Sequence, residues 1–165
     1  MWQLLLGLVL ANPYEGRDSV VRAEVSRTVD SVQLTSAASD LQTWETLYPA
    51  DCVKEWLNST QTAGVGGRAR VTYTIGAMRR RLTVEVSKVE DGLLVDLDHL
   101  GNKGFVTRVH IDGEVVRLET FVNPPPWPLR SYFYEKLQPE WTRCQESALE
   151  TLVATAESMP SAEVE

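Results

Sequence analysis

From Gly64 to Val122 the chain alternates apolar and polar residues in one block after another, until a triple proline at positions 124–126 stops it. A period of two puts Val71, Tyr73 and Ile75 on one strand face and Arg70, Thr72 and Thr74 on the other. Leu82, Val84 and Val86 repeat the pattern against Arg81, Thr83 and Glu85, and Leu93, Val95 and Leu97 follow. Phe105, Thr107, Val109 and Ile111 make the fourth row, and Val116, Leu118, Thr120 and Val122 the fifth. The turns between them fall at Gly76 to Arg79, Asp91-Gly92, Gly101 to Gly104 and Asp112-Gly113, the last a strong hairpin signal. Five strands joined in this way form an antiparallel meander, and such a sheet curls with its own twist.

What flanks the meander decides how its apolar face is covered. Ahead of it, Val21, Ala23 and Val25 alternate with Arg22 and Glu24, predicting a strand that begins near Val20. The alternation resumes at Val29 and slips by one residue to Val32 and Leu34, which predicts a bulge or break near Asp30. Ser36 or Ser39 can cap a helix carrying Leu41, Trp44 and Leu47, which Pro49 ends. Asp51 can cap a second short helix carrying Cys52, Val53, Trp56 and Leu57. Behind the meander, prolines fix an extended connector over residues 124–128. Leu129 to Leu137 reads as a helical piece, and Pro139 followed by Glu140 favours a new helix start. Trp141, Cys144, Ala148, Leu149, Leu152, Val153 and Ala156 then form one apolar stripe on a helix of about 27 Å. The expected organisation is an apolar segment over residues 1–19, one domain over 20–158, and a frayed tail over 159–165.

Composition narrows the class of partner. With 165 residues and a formal net charge of −7, the chain is one domain that lacks the basic field a nucleic acid requires. The Leu-rich start has no preceding Lys or Arg and is too short to span a bilayer, so it reads as a packed helix or ordered segment of a cytoplasmic protein. Export is the alternative, and only then does Asn58-Ser59-Thr60 count as a glycosylation acceptor. Cys52 and Cys144, too few and too far apart for a disulfide scaffold, suit small buried positions in a reducing compartment, with a single bridge as the alternative.

Few residues carry chemistry. Gly64-Val65-Gly66-Gly67 leads into a strand rather than a helix, so it is a turn and not a phosphate cradle. His99 and His110 are the two imidazoles and hence the candidate proton carriers, though both read first as surface or turn histidines. Asp98 cannot serve His99, because neighbours on a strand point to opposite faces. Arg79-Arg80-Arg81 reads as a solvated hairpin end, and Glu85 and Glu119 as outward surface charges. No pattern requires a metal or a cofactor.

The order strand, two short helices, meander and long terminal helix resembles the START-like helix-grip (SRPBCC) superfamily, in particular its polyketide cyclase/dehydrase-like members. The segments Ser39 to Trp44, Asp51 to Trp56, Gly64 to Arg70 and Arg80 to Val86 are similar to the family's first helix, following corner, third strand and fourth strand. The resemblance implies an α+β helix-grip fold: a curved antiparallel sheet wrapped around a long C-terminal helix, with two short helices after the first strand. It also implies a hydrophobic cavity between sheet and helix, for a lipid or a polyketide-like molecule. A cyclase/dehydrase-type enzyme using the same cavity is the alternative.

If the sheet is curled, its inward residues cannot all touch the helix, and some line a ligand site. The expected lining is Trp44, Trp56, Tyr73, Ile75, Val84, Val95, Phe105, Leu118, Phe133 and Trp141. Tyr73 is the expected orienting group, because a hydroxyl on an apolar face needs a hydrogen-bond partner. The outward residues are mostly Arg, Thr, Glu and Ser, which argues against a protein-docking patch.

Overall fold

The computed structural model describes residues 19–90, 94–100, 105–123 and 128–161. Seven antiparallel strands form one curled sheet: β1 Val21–Ser26, β2 Val53–Asn58, β3 Arg68–Ile75, β4 Met78–Glu90, β5 Leu94–Leu100, β6 Val106–Asp112 and β7 Val115–Phe121. Their spatial order is β1-β7-β6-β5-β4-β3-β2. The meander from β3 to β7 is the one that the alternation predicts, and β1 and β2 extend it at its two edges. Gly64 and Gly66, at φ 71 and 92, make the turn into β3, while Gly113, at φ 62, closes the β6–β7 hairpin. The turns expected at 91–92 and 101–104, the proline connector up to 127 and the segment 1–18 lie outside the described residues.

Two short helices do follow β1, and one of them falls where the first was expected. The first, α1 Ser31–Ala38, takes in Val32 and Leu34. Asp30 is its N-cap and accepts from the backbone N–H groups of Val32 and Gln33 at 2.9 and 3.0 Å, so the register slip marks a helix start and not a bulge. The second, α2 Leu41–Trp44, is capped by Asp40 rather than by a serine. The helix expected over Asp51 to Leu57 is instead strand β2, paired with β3. Cys52 and Trp56 are four residues apart, a spacing that shares a face in either period, and pairing with β3 decides for the strand.

The concave side is filled from both ends. Val21, Ala23, Val71, Ile75, Val84, Val86, Leu97, Val109 and Leu118 are buried together with α1, α2 and the long helix α4 Gln138–Ser158. Helix α3 Leu129–Tyr132 leads through a π turn, Phe133–Leu137, into α4 without a break. Pro139 stands in the first turn of α4, as expected of a helix start, although the π turn joins that helix to α3. The Gln138 N–H bonds to the Phe133 carbonyl five residues back, and Pro139, with no N–H, does not contest the wider turn. At the start of the expected tail, the Met159 carbonyl accepts from Gln33 Nε2 at 2.7 Å, and residues 162–165 lie outside the described residues.

The cysteines are not separate thiols. Cys52, at the corner before β2, is bridged to Cys144 on α4, with Cα atoms 6.0 Å apart across a sequence separation of 92. The fold brings together what the linear spacing holds apart. Arg143 ties down the same corner through Asp51 at 2.6 Å.

Candidate functional site

Strand register places Tyr73 on β3, His99 on β5 and Phe105 beside β6, all on the concave side, and α4 lays Trp141 over them. Tyr73 Oη and His99 Nε2 are 2.9 Å apart. The His99 ring stacks on Phe105 with centroids 3.7 Å apart, and Trp141 meets the Phe105 edge at 5.4 Å. Tyr48 closes the group with an edge contact to Tyr73 at 6.2 Å. His99 is thus a buried residue, not a surface or turn histidine: β5 is long enough to carry it inside, opposite Phe105.

Burial sets the protonation states here. It pushes the Tyr73 phenol well above its ordinary range, with the neighbouring Tyr48 adding to the effect. It also lowers the His99 imidazole from 6.5 to about 3. Both groups are therefore neutral at pH 7. A buried phenol must donate its proton, and His99 Nε2 is the acceptor at hand, so the neutral imidazole carries its hydrogen on Nδ1. His99 Nδ1 is buried with no partner in bonding geometry, and the Phe105 carbonyl lies near enough to the ring to act on it in the opposite sense to burial.

A second polar group faces the same interior. Gln145, one helical turn beyond Trp141, is fully buried and donates through Nε2 to Thr120 Oγ1, which lies 3.4 Å from Thr107 Oγ1. Gln145 Oε1 has no partner. Two unpaired polar atoms in one interior stand out, because an unsatisfied buried group costs about 1–3 kcal/mol.

All ten expected lining residues are buried. Tyr73, Phe105 and Trp141 come together around His99. Trp44 stacks toward Tyr48 at 6.1 Å and donates Nε1 to the Ala38 carbonyl, and Phe133 sits in the π turn. Trp56 shares its strand face with Val71 and spends its N–H on Asn58. That bond, with a second from Asn58 to Glu45, leaves the sequon asparagine engaged on a strand rather than free in a loop. Ile75, Val84, Val95 and Leu118 belong to the apolar rows of the sheet. Sequence reasoning missed Tyr48, Thr107, Thr120 and Gln145. A signal for Gln145 existed: it follows Trp141 by four residues, inside the apolar stripe of α4.

His110 is elsewhere. Its Nε2 is turned to the convex face, 2.6 Å from Glu119 Oε2 and away from the Tyr73–His99 group. Glu119 is not a solvated surface charge, for Arg22, Ser19 and His110 cover it. Its bond to His110 is the first cause that lowers its carboxyl from 4.5 to about 2. Beside it Arg108 grips Asp96 with two bonds of 2.7 and 2.9 Å. Arg79, Arg80 and Arg81 are exposed at the start of β4, next to the hairpin turn as expected, and Arg81 reaches Glu55 at 3.4 Å.

Away from Tyr73 and His99 lie two pockets. One, of about 10 Å³, lies between α1 and strands β5 and β6, and has room for about one water. The other is an open groove of about 340 Å³ at the β2–β3 rim, beside Leu57, Arg68 and Arg70.

By sequence the chain matches no family model and none of the curated proteins. Solved structures do match its fold. The KanY protein aligns over 87% of this chain and 99% of its own, with a TM-score of 0.69 at 18% identity. TTHA0849 from Thermus thermophilus aligns over 84% and 97%, with a TM-score of 0.62 at 16% identity. The major latex-like protein 151 of Panax ginseng aligns over 85% and 97%, with a TM-score of 0.56 at 11% identity. The architecture is the helix-grip fold that the sequence order implies.

Proposed function

We propose that this protein belongs to the START-like helix-grip (SRPBCC) superfamily and binds a hydrophobic or amphipathic small molecule between the concave sheet face and the C-terminal helix. The observation that carries this reading is the pair of buried, unpartnered polar atoms, His99 Nδ1 and Gln145 Oε1, on the side that α4 covers. A bound molecule would satisfy them, while the aromatic walls supply the apolar area at roughly 25 cal/mol per Å². At the π turn Leu137 packs against Gly76, next to the end of β3 that bears Tyr73, and a π turn is a common site of local adjustment.

A polyketide cyclase/dehydrase-type reaction in the same space would need a proton carrier, for which His99 is the candidate. With its imidazole held at about 3, His99 is a hydrogen-bond donor at neutral pH and a poor base, which favours binding over catalysis. The buried Cys52–Cys144 bridge supports an oxidising compartment rather than the cytoplasm. Among the described residues no helix is long and apolar enough to cross a membrane.

Native mass spectrometry of freshly purified protein, followed by titration with the neutral fluorophore N-phenyl-1-naphthylamine, tests the binding reading. A co-purified small molecule or saturable fluorescence enhancement is expected. A chain that carries nothing and leaves the fluorophore dark refutes it.

A further inference from the structure

Resting on that reading, we infer that the molecule taken into this interior is uncharged and carries a hydroxyl or carbonyl oxygen, and that carboxylates of the same skeleton are refused. The buried carboxylates of the sheet lie on its outward face, where Thr72 is the buried neutral polar residue. Asp96 and Glu119 alternate outward, where Arg108, Arg22 and His110 meet them. The buried polar residues on the concave side are His99, Thr107, Thr120 and Gln145. None of these four carries charge at neutral pH. Arg80 pairs with Tyr73 in register, yet it is exposed at the sheet end. Among the described residues, therefore, no buried guanidinium or ammonium awaits an anion inside. A carboxylate brought there would lose its hydration with no countercharge to replace it.

The hydrogen-bond inventory refines the class. Tyr73 donates to Nε2, so His99 offers an N–H at Nδ1 and asks for an acceptor, while Gln145 Oε1 is an acceptor and asks for a donor. A hydroxyl can serve either, and a carbonyl serves the first. Phe105 touches both His99 and Trp141, and Thr107, two residues on, is bonded to the Thr120 that holds Gln145. The two sites are thus offset along β6 by about two residues, on the order of 7 Å. A hydroxyketone or a diol of that span would meet both, and a simple alcohol one.

The test is displacement of N-phenyl-1-naphthylamine at pH 8 by 1-decanol and by decanoate, which share one chain length. Decanol is expected to displace the fluorophore, and decanoate to need at least about a thirtyfold higher concentration. Decanoate competing as well as decanol overturns the inference while leaving small-molecule binding intact. A fluorophore that never binds overturns the broader reading, and this one with it. Two variants probe the polar contacts. At least one of Gln145→Met and His99→Phe should weaken decanol about tenfold relative to the fluorophore measured in the same variant. Decanol affinity unchanged in both removes the polar half of the inference.

Discussion

Lowering the pH should destabilise this protein between 6.5 and 3 through His99. An imidazole that is neutral in the fold at about 3 but titrates at 6.5 once unfolded makes the unfolded chain the better proton acceptor throughout that window. Its contribution to stability is complete above 6.5 and is lost as the pH falls toward the folded value. By pH 5 the loss is about 2 kcal/mol, and it hardly depends on how far below 4 the folded value lies. Glu119 acts in the same direction but lower down, because its carboxyl drops from 4.5 to about 2, so the span from 6.5 to 5 isolates the histidine. Urea unfolding at pH 8 and pH 5 should show the midpoint fall at constant slope, and His99→Phe should remove most of that fall. Site-resolved nitrogen NMR gives an independent reading: the His99 ring should hold its proton on Nδ1 and show no titration above pH 4. A ring that titrates near 6.5 would refute the burial argument and, with it, the claim that this interior is built for neutral groups.

Two further perturbations examine the frame around the site. Removing the bridge with Cys52→Ala and Cys144→Ala opens a loop with a sequence separation of 92, for which chain entropy alone gives about 4–5 kcal/mol. Scanning calorimetry should show the melting temperature lower by about 10 °C, with hydrogen exchange rising first in β2 and the start of α4, whereas an unchanged melting point would show that packing alone holds the corner. Arg108→Met strands the buried Asp96 carboxylate without its two bonds and should cost about 3 kcal/mol in urea unfolding, while fluorophore binding, being on the other face, should persist.

The meander was readable because each of its strands has one wet and one dry face, so period two is written directly in the residues from Arg68 to Phe121. The flanks were harder for physical reasons that differ from place to place. In α1 only Leu34, Ala37 and Ala38 are buried, and Val32 is 60% exposed, so eight residues give too little apolar periodicity to announce a helix. Asp30 was the better signal there, as an N-cap rather than a break. In β2 the spacing from Cys52 to Trp56 suits either period, and only the unpaired edge of β3, which no local pattern reveals, resolves it. Of the site, the aromatic walls were legible as inward positions on strands of known phase. His99 shared that phase with Val95 and Leu97, so its burial was implicit in the alternation that placed them. Its partner was not, since Tyr73 lies two strands away across β4, and the contact depends on the curl of the sheet.

That curl also explains how one sheet carries two electrostatic worlds a residue apart. On β5, Val95, Leu97 and His99 point in while Asp96 and Asp98 point out, so a shift of a single register position would exchange the neutral row for the acidic one. The convex face can bury Asp96 and Glu119 because β6, β7 and β1 bring Arg108, His110 and Arg22 alongside in register. The concave face has no such neighbours, and burial there makes Tyr73 keep its proton and His99 decline one. Charge is thus sorted by pairing register before any ligand arrives. What the interior accepts is set by the same alternation that folds the chain: a molecule whose oxygen atoms hydrogen-bond without ionising.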